Sequence, residues 1–577
     1  MATDSIDTPP TAPARLTLAA DVGPIVRAAA FDEVDRFLRP SAVGEAIATA
    51  GSPDFDAGHG IAAALADLDA RLGVYAGDGL PATVAVTGSS IGAALPAFVI
   101  TDFPEDEQLQ LDALLRAHGF TLAGRIETGS RRLLDRHDPE ELAAQLLDLR
   151  PQLIVLALRS DGGWESLAAF AEIARFAVRG RVAGYAPGIA VLYGESPDQS
   201  LLTGLAEAFT TRLVDVRGAG DSLNIAAAGS ALDDLYQALV LETAFQGTKP
   251  DALLAARVVP LNAALGRAAR DLVGNNDLTI AVVHVEAPGA MIVLCERGTV
   301  RSSAFGYQRA GAAVEHIGLE LDLEEILRWV PFDVTVATAG SYFMNRAARP
   351  WTTPETPTEA ALEHAASHLA LRRAIENLGQ ELPALDLIVC TGRSLGDSPH
   401  PVQAALVAIN ACQPGGYCQI ALDRSGTLAA EGALQSVGVE LEPGGGLVHV
   451  GTVVAAVGED SPGRAALAVE VRTEDGEPTQ RQVNFGSMDR IMWAPGNLGT
   501  VRAWPSSKLD VGGGRGRATT LRTRIEPGCG GLIIDARGRP IAWPEEGARR
   551  RAAVLQWTQS TASRSVPSPE LESTSEG

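Results

Sequence analysis

The chain is almost devoid of lysine. Of its 577 residues only Lys249 and Lys508 are lysines, so nearly all of its 47 basic side chains are arginines, set against 71 carboxylates. The formal net charge of −24 excludes general nucleic-acid binding, because a basic face for phosphates would have to be gathered against the average of the whole chain. Cysteine is scarce as well. Cys295, Cys390, Cys412, Cys418 and Cys529 show no C-x-x-C pair and no metal-ligand spacing, and their odd number fits reduced thiols in a cytoplasmic protein. No apolar run approaches the roughly 18 residues that span a bilayer, and no basic start followed by an apolar stretch marks an export signal. These absences predict a soluble, cytoplasmic protein with no nucleic-acid and no membrane partner.

What is present is length and a layered pattern. A chain of 577 residues exceeds a single core and should divide into several domains. Residues 1–14 are small, polar and Pro-containing, and residues 546–577 run into a Ser/Pro/Glu-rich end, so both are expected to be disordered. Residues 15–275 alternate short β-type runs ("TVAVT", "AFVI", "LIVLAL") with Ala/Leu-rich helical stretches, which predicts an α/β layer structure around a largely parallel sheet. A second α/β section spans residues 276–438. Its clearest helix opens at Thr356-Pro357-Thr358-Glu359, with Thr at the N-cap, Pro at the first helical position and Glu completing a capping box. Apolar residues on both sides of that helix place it between two layers. Residues 439–545 change to alternating strands with Gly- and Pro-rich turns, a small β-rich domain. The letters show no convincing internal repeat, although the similar openings of the two α/β sections hint at a duplicated fold.

Several patterns could carry chemistry. "LTLAADVGPIVRAAAFD" reads as a strand, an Asp-Val-Gly turn and a second strand. An Asp at such a strand end can hold Mg²⁺ through water while the turn's N–H groups cradle a phosphate. Pro24 has no N–H to give, Ile25 and Val26 supply no hydroxyl, and Arg27 is the one residue placed to compensate. G-x-S-x-G occurs twice, at Gly88–Gly92 and Gly392–Gly396; a nucleophile elbow would need a histidine in reach of Ser90 or Ser394 and an acid such as Asp423, with His449 as base, whereas glycine-rich structural turns need neither. His364 and His368 lie four apart on one helix but lack the Glu of H-E-x-x-H and a third ligand, which favours layer packing over a metal site. Asp322, Glu324 and Glu325 read as a solvated first helical turn. Arg537 and Arg539 in "DARGRP" read as exposed arginines in a turn after the strand "GLIID", or as interface anchors.

Three longer segments carry a family resemblance: "LDLIVCTGRSLGDSPHPVQAALVAINACQPGGYCQIALDRSGTLAAEGAL", the upstream "MNRAARPWTTPETPTEAALEHAASHLALRRA", and the closing "GCGGLIIDARGRPIAWP". Together they resemble the MutL family associated with glutamate mutase, which is distinct from the mismatch-repair protein sharing that label. The resemblance spans Arg15 to Pro544, weakly in the first half, where "TGSSIGAALPAFVI" and the retained Asp161, Gly162 and Gly163 carry it. It implies a two-lobed actin-like, ribonuclease H-like α/β fold with an added C-terminal β-rich domain. It also implies an accessory or reactivating role beside an adenosylcobalamin-dependent mutase as protein partner.

The departures from that family fall where nucleotide chemistry would be done. The first phosphate loop keeps only Asp21 and Gly23 of Asp-x-Gly-Ser-Thr-x-Thr-Lys. The second, expected as Asp-x-Gly-Gly, has His284 at the aspartate position and a single Gly289; the nucleoside-side turn, expected as Gly-Thr-Gly-Gly, is Cys390-Thr391-Gly392-Arg393. The expectation is a degenerate ATPase with no cofactor, acting as a non-catalytic accessory or scaffolding protein. If the ancestral site survives, ATP and Mg²⁺ are its cofactors, Asp21, Gly23, Arg27, Gly289, Gly392 and Arg393 lie nearest the nucleotide, and Asp21 is the metal-water ligand. An active ATP-dependent reactivating factor and a serine hydrolase are the two alternatives.

Overall fold

A computed structural model describes residues 17–34, 37–47, 57–72, 83–89, 95–127, 144–146, 148–149, 151–158, 188–193, 203, 211–215, 224–244, 256–286, 289–306 and 317–561 other than 475, 522 and 542. The first fourteen residues, Ser90, and the Asp161-Gly162-Gly163 turn lie outside the described residues. The molecule is a mixed α/β protein with several sheets.

The first sheet opens with an apolar meander: β1 (Thr17–Val22), β2 (Ile25–Val34) and β3 (Phe37–Ile47), paired antiparallel in sequence. β4 (Thr83–Thr87) then pairs parallel to β1, and the two-residue β10 (Arg257–Val258) pairs parallel to β4. In order of appearance within this sheet the strands lie 3-2-1-4-5. The second large sheet repeats the arrangement with β11 (Thr279–Glu286), β12 (Gly289–Glu296), β13 (Thr299–Phe305), β14 (Leu387–Thr391) and β15 (Gly416–Asp423). Here too the first three strands are antiparallel and the last two are parallel to the first. The duplication that the letters only hinted at is therefore explicit in the backbone.

Between β4 and β10 the chain builds a third sheet of parallel strands. These are β5 (Leu95–Thr101), β6 (Phe120–Glu127), β7 (Leu153–Leu158), β8 (Gly188–Tyr193) and β9 (Thr211–Asp215), in the order β6-β5-β7-β8-β9. The single first lobe expected at residues 15–275 thus contains two sheets. They share one hydrophobic cluster, in which Leu18, Ala28 and Ile61 are continuous with Val99, Phe120 and Leu235. Helix α1 (Ala57–Leu72) contributes Ile61, α2 (Glu105–Ala117) follows β5, and α3 (Ile225–Ala244) contributes Leu235.

Two helices are exchanged between the repeats. α4 (Leu261–Val273) follows the last strand of the first repeat but buries Leu261, Leu265, Ala269 and Val273 against Ile280, Val282, Met291 and Val293 of the second sheet. α8 (Leu428–Ser436) follows the last strand of the second repeat and buries Ala430, Ala433 and Leu434 against Ala19, Ala29 and Phe31 of the first sheet. The helices cross at Gly432, where any Cβ would overlap the carbonyl of Ala264. The other face of the second sheet is covered by α6 (Pro357–Glu376) and α7 (Pro401–Cys412), with α5 (Val336–Ala348) outside them. The capping box read at Thr356 is present, with Glu359 N donating to Thr356 Oγ1 at 3.2 Å and Thr356 N to Glu359 Oε2 at 3.1 Å.

The C-terminal section does not stand apart at residue 439. β16 (Leu447–Ala455) pairs antiparallel with β15, β22 (Gly531–Asp535) parallel with β16, and β19 (Met488–Ile491) antiparallel with β22, extending the second sheet to eight strands. A separate four-stranded sheet is made by β17 (Ala465–Thr473), β18 (Thr479–Asn484), β20 (Gly499–Pro505) and β21 (Thr519–Thr520). The disorder expected from residue 546 is corrected: Gly547–Thr561 forms α9, whose Trp557 is 2% exposed. The reading of Arg537 as an exposed turn residue is corrected too. Its guanidinium is fully buried over Trp557, at 4.7 Å from the ring, and donates to both Asp535 oxygens at 2.9 and 2.7 Å and to Asn410 at 2.7 Å. Arg539 adds a 2.8 Å bond to the same carboxylate.

Two outcomes follow for equilibrium denaturation. Gly432→Ala pushes a methyl into the carbonyl of Ala264 and is expected to cost about 1–3 kcal/mol, seen as a lower midpoint at unchanged slope. Arg537→Ala strands the buried Asp535 carboxylate and is expected to cost about 3–5 kcal/mol.

Candidate functional site

Polar residues gather where the carboxyl ends of the two repeated sheets face each other. Asp21 on β1 lies opposite Thr87 on β4, and His284 on β11 lies opposite Thr391 on β14. His284 thus occupies in the second repeat the place of Asp21 in the first. It is buried and held neutral, pushed down to about 3 by burial first and by Arg27 second.

After each Thr the same turn follows: Thr87-Gly88-Ser89 and Thr391-Gly392-Arg393. Gly88 has φ +130°, and a Cβ on it would run into Val22 and lie 2.6 Å from Asp21 Oδ1; Gly392 has φ +82°, and its Cβ would lie 2.7 Å from Val285 N. Both glycines are required by close approach of the neighbouring strand at a positive φ. Thr87-Gly88-Ser89 and Thr391-Gly392-Arg393 are thus one strand-end turn used twice, which is the internal repeat that the letters concealed. No histidine hydrogen-bonds Ser394 among the described residues, so the elbow has no base there.

Asp21 is 8% exposed, and its Oδ1 has no hydrogen-bond partner. Burial, and then the Glu286 carboxylate, push its pKa up to about 8, with Arg27 opposing and Asp423 adding. Arg27, on β2 directly opposite Asp21, is also buried. It does not reach toward the hairpin turn: its Nε donates to Glu45 Oε1 on β3 at 2.9 Å, its Nη2 lies 3.8 Å from Asp397, and Gly426 closes over it. Burial works against its charge, but the hydrogen bond to Glu45 and the nearby carboxylates raise its pKa overall.

Glu286 and Asp423, which sequence reasoning did not assign to this cleft, complete it. Glu286 at the end of β11 is 4% exposed, accepts a short hydrogen bond from Ser89 Oγ, and lies against Gly23. Asp423 at the end of β15 accepts from Thr391 Oγ1 at 2.8 Å and from the N–H groups of Thr427 and Leu428 at 3.0 Å each, fixing the start of α8. Glu431 one turn on is pushed up to about 7 by burial and by Asp423. A Glu at the position expected to be glycine was visible in "HVEAPG", but only the register shows what it faces.

Beside these groups is a cavity of about 390 Å³, whose lining includes Pro24, Glu286, Arg346, His364, Arg393 and Arg424. Arg393 reaches across its wall, with Nε 2.7 Å from Asp397 and Nη1 2.7 Å from the Trp351 carbonyl. Gly289 starts β12 opposite Glu286. The histidine pair is built into the layers: His364 bonds Ser398 Oγ at 3.3 Å and is pushed down to about 4 by burial, while His368 stacks edge-on with Trp329 at 3.8 Å between centroids. Among the described residues no cluster of His, Cys, Asp and Glu could hold a metal ion, and no helix is long and apolar enough to cross a membrane.

No family model matches the chain, and no curated protein matches it in sequence. Among solved structures it is similar to nucleotide-free acetone carboxylase, with 12% identity over 81% of this chain and 80% of that one and a TM-score of 0.31. Diol dehydratase-reactivating factor in nucleotide-free form gives 12% identity over 73% and 99% of the two chains at a TM-score of 0.27. The ethanolamine utilization protein EutJ from Carboxydothermus hydrogenoformans gives 10% over 73% and 90% at 0.22.

The raised Asp21 pKa sets a pH dependence. Between the ordinary value of 3.8 and about 8 the folded chain keeps a proton that the unfolded chain has released, so stability falls as pH rises through that window and levels off above it. Asp21→Asn removes this contribution. Its stability relative to the parent is therefore expected to improve steadily from pH 5 to pH 8, by at most about 1.4 kcal/mol per pH unit, measured by urea midpoints across the range.

Proposed function

We propose that this protein is a non-catalytic accessory or scaffolding factor of the glutamate mutase MutL type. On this reading it is a two-lobed actin-like ATPase fold, with the four-stranded C-terminal sheet as an added layer, that has lost nucleotide hydrolysis and works by binding a partner protein. The partner class is an adenosylcobalamin-dependent mutase, on the resemblance of the second half.

The observation that carries the proposal is the state of Asp21. Its carboxyl is buried, with one oxygen lacking a hydrogen-bond partner and with the Glu286 and Asp423 carboxylates disfavouring its charge. Around it the donor set does not fit a nucleotide's phosphates. Pro24 gives no N–H, Arg27 is engaged by Glu45, and Glu286 and Asp423 bring further carboxylates to the place where phosphate charge would have to be neutralised. The frame nevertheless persists, with two sheets of identical strand order and their exchanged helices, which suits a scaffold retained for its shape.

Calorimetric titration of ATP and of ADP, each with Mg²⁺, into the full-length protein tests this reading. No heat and no thermal stabilisation are expected up to millimolar nucleotide. Micromolar binding abolished by Asp21→Ala would overturn the proposal and return the protein to the ATP-driven reactivating factors.

A further inference from the structure

Register makes Glu286 the counterpart of Gly23. Asp21 and His284 are equivalent through their Thr87 and Thr391 partners, and Val22 and Val285, the next residues, each receive the turn glycine of the neighbouring strand. The residue after that is Gly23 in one repeat and Glu286 in the other. One position has no side chain, and the other sends a carboxylate across to it: a Cβ on Gly23 would lie 2.5 Å from Glu286 Oε1 and 2.7 Å from Oε2.

Groups from both repeats meet that carboxyl group. Ser89, 197 residues away in the other repeat, donates its hydroxyl to Oε2. Burial raises its pKa overall, against the Ser89 hydrogen bond, Arg27 from the first repeat and Arg393 from the second, which favour its charge, and Asp397 adds to the burial. Ser89 and Arg393 are themselves equivalent, each following its turn glycine, so the two repeats present a matched pair of groups to one carboxyl group. On one side this seat adjoins the cavity of about 390 Å³, which Glu286, Pro24 and Arg393 help to line.

We infer that Glu286 is a built-in plug: its carboxyl group fills the seat between the two hairpins that an external phosphate would otherwise occupy, and latches the first repeat to the second through Ser89. The inference rests on the reading of the protein as a degenerate ATPase and names what closes its site. A phosphate-bearing ligand is excluded by a side chain already in place, and the cleft is held shut without one. Removing the side chain frees the seat and its Ser89 hydroxyl for an oxyanion, whose charge Arg27 and Arg393 would favour from their present places.

The test uses inorganic phosphate and the full-length chain, in phosphate-free buffer and in a phosphate series, followed by thermal melts and calorimetry. Glu286→Gly is expected to melt below the parent without phosphate and to recover as phosphate is added, with at least roughly tenfold tighter phosphate binding than the parent. Glu286→Gln keeps the shape and still fills the seat, so it is expected to stay blind to phosphate. Phosphate binding by Glu286→Gln equal to that of Glu286→Gly would overturn the seat-filling idea, because it would leave charge repulsion as the whole effect. A Glu286→Gly protein as stable as the parent and equally blind to phosphate would overturn both plug and latch. Those results are independent of the nucleotide titration, which can fail for the parent while the Glu286 series behaves as expected. If Glu286→Gly does not fold, Gly23→Ala in the parent decides. Its methyl must displace the carboxylate and lower the melting midpoint, and an unchanged or raised midpoint overturns the inference.

Discussion

The contact on which the rest depends is the crossing of α4 and α8 at Gly432 and Ala264. Each helix belongs by chain order to one repeat and by packing to the other, so neither sheet can bury both faces without a helix from its counterpart. Glycine is needed there because the backbones touch; a larger residue would hold the helices apart and open both interfaces at once. The same crossing fixes the distance between the carboxyl edges of the two sheets. Asp21, Ser89 and Glu286 can meet only because those edges are held face to face, which makes the polar cleft a by-product of helix exchange.

Buried charge is used in two opposite ways. At the cleft, carboxylates crowd one another and burial holds Asp21 protonated. Under α9, Asp535 is just as deeply buried, but the guanidiniums of Arg537 and Arg539 outweigh the burial and hold it below the usual carboxylate range. The difference is one of partners, since each Asp535 oxygen has a donor and Asp21 Oδ1 has none. The first arrangement is poised to change with protonation. The second ties β22, α7 and α9 into one unit.

Much of the local structure was legible in the letters. Thr356 and Glu359 announced a helix start because capping chemistry is local, and the alternation of strand and helix patterns announced α/β layers. What stayed hidden depended on register. Glu286 is one carboxylate among many until the pairing of β11 with β14 shows which way it faces. Arg537 looked exposed because a short Arg-Gly-Arg-Pro segment usually is, and only the return of α9 covers it. The three-strand continuation of the second sheet past the expected boundary was missed for a related reason: "LVHVGTVVA" and "GLIID" read equally well as strands of any sheet, and pattern alone does not choose the partner. The two G-x-S-x-G segments carried the duplication in plain sight, but four shared letters 304 positions apart, counting the preceding Thr, are weak evidence until both are seen to follow the fourth strand of a sheet.

The placement of the parallel sheet within the first repeat also bears on how the chain comes to be folded. β4 and β10 are hydrogen-bonded neighbours, yet the ribosome delivers about 170 residues between them, and bringing such distant ends together carries the loop-closure cost of a long chain segment. The meander β1–β3 can form as soon as it emerges. Its sheet must then wait with an open edge beside β4 until the entire insert, whose Val99, Phe120 and Leu235 belong to the same cluster, has been synthesised. During that interval the nascent protein exposes both a strand edge and the face that α8, more than 300 residues downstream of β4, will eventually cover. Late-arriving pieces at the chain's far end thus finish a structure begun at its start, and slow, escorted maturation is the expected cost of that order.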